Sequence, residues 1–158
     1  MKQTIQRPHS WVRELIVLAE AAVIVLLWYL ALKDWGYAVC AGALTFLTLA
    51  AVLRGIFLRH HRQGMRQLRR KNYREAAAAF QKSQDFFEKH PLIDRLGMIT
   101  MLSTNAFPYR QMALNNLGLC LSCTGDPQAA LTIFQTLQTI NPKFPNIQKA
   151  IDVTKKLL

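Results

Sequence analysis

Polar and apolar positions divide the chain into two unlike parts. From Leu15 to Leu32 eighteen residues carry a single charge, Glu20, and from Tyr37 to Leu53 seventeen carry none. A helix of about twenty mostly apolar residues crosses the hydrocarbon core of a bilayer, and somewhat fewer suffice where flanking Trp and Arg reach the headgroups. Trp11, Trp28, Tyr29, Trp35 and Tyr37 stand near the ends of the two runs. The pattern therefore predicts an N-terminal transmembrane hairpin within residues 1–58, with spans over about 12–33 and 36–58. The four residues Lys33-Asp34-Trp35-Gly36 leave room only for a tight turn. Beyond the second span, apolar residues recur at intervals of three and four, so residues 59–158 are expected to form a second, purely helical domain.

Within that domain the clearest pattern runs from Gln111 to Phe144. Leu114, Leu117, Gly118 and Leu121 share one helical face, Thr124-Gly125-Asp126-Pro127 breaks the helix, and Ala130, Phe134 and Leu137 mark the inner face of the next. Gly118 and Ala130, twelve residues apart, are expected at the crossing of an antiparallel pair, where small residues permit close approach. Asn141-Pro142 ends the unit. This spacing resembles the tetratricopeptide repeat (TPR), with its W-x2-L-G-x2-Y, A-x3-F and P positions over about thirty-four residues, leucines at 114 and 121 replacing the two aromatics. A second copy surrounds Lys71-Asn72-Tyr73: Gly64 precedes Ala76 by twelve residues and Phe80 follows by four. Its first helix is the weaker one, because His60, Gln63 and Gln67 occupy consensus apolar positions. In the second helix, Tyr73, Ala76, Ala77, Phe80 and Phe87 form the inward stripe.

The fold expected is all-α: a two-helix transmembrane hairpin, then a short TPR-like α-solenoid with repeats over about 59–91 and 109–144, and a capping helix over 145–158. Matching alanines lie 54 residues apart, twenty more than the repeat length, so 92–108 is an insertion. Its apolar content predicts a short helix over about 92–103 filling the space between repeats. Ile147, Ala150, Ile151, Thr154 and Leu158 form the stripe of the closing helix, which covers the face a terminal repeat leaves bare.

Charge adds an orientation. Lys and Arg outnumber Asp and Glu by 20 to 9, and eight of the basic residues fall between Arg54 and Glu75. Lys2, Arg7 and Arg13 precede the first span, the basic run follows the second, and the turn has only Lys33, so both termini are expected in the cytoplasm of a bacterial-type inner membrane. Arg59, Arg62, Arg66, Arg69 and Arg70 are expected to meet anionic lipid headgroups or a partner. No stacking aromatics are interleaved among them, which argues against nucleic acid.

Candidate chemistry is sparse. Glu20 lies fourteen residues before Asp34 and Thr48 fourteen after, so the two are expected level in the hairpin, with Glu20 bonded to Thr48 or Thr45; by the same count Glu14 pairs with Arg54. His60-His61 and Cys120-x2-Cys123 lack a second pair of ligands at metal-binding spacing. No catalytic set or phosphate loop is visible, so no enzymatic activity, cofactor or metal is expected.

The TPR resemblance implies a protein partner held along the first helix of each pair, here over Met112, Asn115, Asn116, Leu119 and Ser122. Where some TPR domains clamp a terminal carboxylate this chain has His61 and Met65, and only Asn116 matches. The expectation is thus a membrane-anchored adaptor, with self-association open. The alternative is an accessory subunit docking into a larger complex through its hairpin.

Overall fold

A computed structural model describes residues 11–95 and 107–158, all of whose regular structure is helical. Two compact units result, one containing the hairpin and the other containing residues 59–94 and 107–158.

The hairpin unit consists of α1 (Trp11–Leu32) and α2 (Trp35–Phe57), each displaced by one residue from the expected spans. Lys33 adopts the left-handed conformation (φ 57°) and Asp34 caps α2 by accepting from the Tyr37 amide at 3.0 Å. Tyr29 and Trp35 stack across the turn. On α2 the side facing α1 is built from small residues: Ala38, Gly42 and Ala50 are buried. A Cβ on Gly42 would stand 2.6 Å from a methyl group of Val25, so this glycine is what lets the helices meet so closely. Residues 25 and 42 lie nine before and eight after Asp34, within one residue of the register counted from the sequence. Leucines on the outer sides, such as Leu18, Leu27, Leu44 and Leu47, are more than half exposed. Both helices are long and apolar enough to cross a membrane. The chain does not continue unbroken from the second apolar helix into the polar part, because Leu58 ends α2 before the next helix begins.

The second unit holds α3 (Arg59–Arg69), α4 (Tyr73–Lys89), α5 (Pro91–Arg95), α6 (Tyr109–Cys123), α7 (Pro127–Ile140) and α8 (Ile147–Lys155). Antiparallel pairs α3/α4 and α6/α7 pack in sequence order, α4 lying against α6, and α8 packs on α7. The core is contributed mainly by α4, α6 and α7, with Phe80, Phe87, Leu114, Phe134 and Leu137 almost fully buried. Ile147, Ile151 and Phe144 close its far end. Leu158, expected on the closing stripe, is instead exposed beyond the end of α8.

The two helix pairs repeat one another in detail at an offset of 54. Lys71 (φ 63°) and Gly125 (φ 82°) both end a first helix in the left-handed conformation. Asn72 donates to the Gln67 carbonyl and Asp126 to the Leu121 carbonyl, the six-to-one bond of a Schellman termination. Gly64 faces the ring of Phe80 as Gly118 faces the ring of Phe134, and a Cβ on either glycine would stand 2.8 or 2.6 Å from that ring. The atoms nearest to Gly118 thus belong to Phe134, and Ala130, expected with Gly118 at the crossing, is fully buried. The aromatic side chain four residues beyond each alanine fills the space beside the glycine.

The pairs differ in how the first helix is turned. Leu117 is buried in α6, while Gln63, its counterpart in α3, is exposed; α3 instead turns His61, Gly64, Met65 and Leu68 inward. Burying a glutamine amide without partners costs more than rotating the helix by about one position, so the weak consensus face is replaced by a neighbouring one. Of the insertion, the described part is α5 and the approach to α6; the remainder of the expected 92–103 helix lies outside the described residues.

Candidate functional site

The residues expected to line a binding face all lie on α6. Met112, Asn115, Leu119 and Ser122 follow each other at intervals of three, four and three, so they form one stripe, and each is half-buried. Leu119 leans partly on the core formed by α7 and α8. Ser122 turns its hydroxyl back to the Gly118 carbonyl (3.0 Å). Asn116 lies one position off the stripe and donates to Met65 Sδ at 3.5 Å, tying α6 to α3. Asn115 alone of the stripe keeps an amide with no hydrogen-bond partner among the described residues.

His61 does not belong to this face. It is 9% exposed, and its ring lies edge-on to Phe80 and to Tyr109, with Ser83 Oγ 3.5 Å from Nδ1. Burial pushes its pKa down to about 4, so at neutral pH it is an uncharged core residue. With His61 buried and Met65 accepting from Asn116, the positions matching a carboxylate clamp are taken up by packing.

Four arginines occupy the opposite side of α3, and Arg70 follows its last residue. Arg59, Arg62, Arg66, Arg69 and Arg70 are all exposed. Arg59 donates its Nε–H to His60 Nε2 at 3.1 Å. The His60 pKa is lowered first by burial and then by the positive charges of Arg59 and Lys82. None of the five has a carboxylate partner among the described residues.

In the hairpin, Glu20 does not form the bond expected with Thr48 or Thr45. Thr48 is exposed on the outside of α2, and Thr45 accepts from the Trp28 indole N–H at 3.0 Å. Both Glu20 carboxylate oxygens are covered and lack a hydrogen-bond partner among the described residues. Counting residues from the turn is not enough: the helical phase of α2 points Thr48 away from the seam. Glu14 and Arg54 are both engaged by neighbouring groups.

One polar arrangement has little signature in sequence. Asp94 is buried and accepts from the Tyr109 amide (2.5 Å) and the Arg110 amide (3.2 Å), capping α6 from fifteen residues upstream. Burial raises its pKa, while the two backbone N–H bonds and the Arg110 charge oppose the rise. Arg110 also pairs with Glu88 at the end of α4. These contacts hold together the two ends of the insertion. Only Asp94 as a lone acid in an apolar run hints at them.

Cys120 is buried and its pKa is pushed up to about 11 by burial and by the neighbouring Cys123, so it is a packing thiol rather than a nucleophile. No group of three or more His, Cys, Asp or Glu among the described residues could hold a metal ion. Neither a family model, nor a curated protein, nor a solved structure matches the chain.

Proposed function

We propose that the protein is a membrane-anchored adaptor: α1 and α2 cross a bilayer, and α3/α4 and α6/α7 are TPR-type repeats that hold a protein partner at the cytoplasmic surface. The observation that supports this most is the half-covered stripe of Met112, Asn115, Leu119 and Ser122. It mixes apolar and polar groups, and one amide remains open for a peptide backbone. Support for the repeats comes from the shared termination and glycine-on-phenylalanine contacts at the offset of 54. Two pairs give a short face, and α8 together with the Asp94-pinned insertion supplies the flanking cover that short solenoids need.

A second reading, docking into a larger membrane assembly through the hairpin, is favoured by Glu20, whose covered carboxylate has no hydrogen-bond partner among the described residues. Photo-crosslinking of the full chain separates the two. Probes at Asn115 and Ser122 are expected to capture a discrete protein that probes at the exposed Leu26 and Leu44 do not. Capture only from Leu26 and Leu44 overturns the adaptor in favour of the subunit.

A further inference from the structure

The outward side of α3 is a charged surface the fold does not use. Arg59, Arg62, Arg66 and Arg69 recur at intervals of three, four and three, so they make one continuous row, with Arg70 beside it. The inward side, His61, Gly64, Met65 and Leu68, is occupied by packing within the domain. Like charges at these spacings repel and destabilise a helix. No described carboxylate offsets that repulsion, since the neighbouring ion pair, Arg110 with Glu88, lies elsewhere. A helix whose only task was to be solvated would do better with glutamates interleaved.

We propose that the arginine face of α3 binds the phosphates of anionic phospholipids in the leaflet from which α2 emerges. The proposal rests on α2 crossing a bilayer. Chain connectivity then fixes the neighbourhood: Arg59 stands two residues beyond Phe57, the last residue of α2, and at 1.5 Å per helical residue Arg69 lies no more than about 20 Å along the chain from it. Arg59 and Arg62 are therefore within reach of a headgroup layer whichever way α3 leaves, given the length of an arginine side chain. Guanidinium is also the group suited to this ligand, because its planar fork pairs with two phosphate oxygens at once. An acidic protein segment would offer the same sign of charge, but covalent tethering keeps Arg59 and Arg62 within reach of phospholipid at all times. RNA would call for stacking aromatics, and α3 contains no Phe, Tyr or Trp.

Native mass spectrometry of the full chain in detergent, titrated with phosphatidylglycerol or with phosphatidylcholine, tests the assignment. The wild type is expected to retain phosphatidylglycerol at least tenfold more strongly, and less so as ionic strength rises. Each arginine contributes roughly fivefold, so R62Q/R66Q/R69Q/R70Q cuts the preference to no more than the roughly fivefold that Arg59 alone supplies. Replacing four basic residues away from α3, as K143Q/K149Q/K155Q/K156Q, leaves it in place. Equal retention of the two lipids by the wild type, an unchanged preference in the arginine variant, or an equal loss in the lysine variant overturns the proposal. So does displacement of phosphatidylglycerol by equimolar glycerol phosphate, which makes free phosphate the ligand, or a preference for an acidic peptide or RNA over the lipid. Vesicle flotation after an alkaline wash is run alongside. Loss of the chain from vesicles removes the spanning helix itself, a failure distinct from the absence of lipid preference in a chain that stays embedded.

Discussion

His61 carries the clearest pH dependence. As a base whose folded pKa is lowered to about 4 from 6.5, it resists the proton that the unfolded chain accepts. Its contribution is complete above about pH 6.5 and is lost progressively as pH falls toward 4, amounting to about 3 kcal/mol over that window. The resistance of the full chain to denaturation in detergent should therefore fall between pH 7 and pH 4.5, and His61→Leu should flatten that part of the profile relative to wild type. Gly64 and Gly118 provide a second check. Alanine at either would gain about 1 kcal/mol of helix propensity but would meet a phenylalanine ring closer than 3 Å, so a net loss of about 2 kcal/mol is expected in the same assay. Both glycines stood out in the sequence by their spacing, but their partners did not, because ring placement depends on side-chain direction as well as on residue count.

Helix ends and helix phases separate what a pattern reveals from what packing decides. Both first helices terminate in the left-handed conformation, on Gly125 in one pair and on Lys71 in the other. A side chain there costs about 1 kcal/mol, so Lys71→Gly is expected to stabilise the domain by about 0.5 kcal/mol after the added freedom of the unfolded chain. Gly125→Ala is expected to cost about 1 kcal/mol, and paired melting curves of the two variants would show opposite shifts. The breaks at 71–72 and 124–127 were legible because Gly, Pro, Asn and Asp have intrinsic backbone preferences. The phase of α3 was not. Its consensus positions hold His60, Gln63 and Gln67, and only the competition between burying those amides and burying Met65 and Leu68 decides which side turns inward. The same limit applies to Glu20, which makes no bond to Thr45, whose hydroxyl is taken by Trp28.

The two units follow different physics: the hairpin exposes its leucines and packs through small residues, whereas the second unit buries its phenylalanines and exposes its charge. The adaptor proposal depends on that contrast, because a chain that leaves vesicles in an alkaline wash would have to cover those leucines with protein instead. By itself the sequence determined the division into an apolar and a polar part, the helical character of both, the tight turn at Lys33-Asp34 and the repeat offset of 54. Those are local or periodic properties, set by hydropathy and by backbone preferences over a few residues. Tertiary structure alone decided that His61 is a core residue, that Asp94 caps a helix fifteen residues away, that the Phe134 ring fills the space beside Gly118, and that α3 keeps its arginines outward. Each of these depends on which groups from distant segments compete for one space, and that competition leaves no periodic trace along the chain.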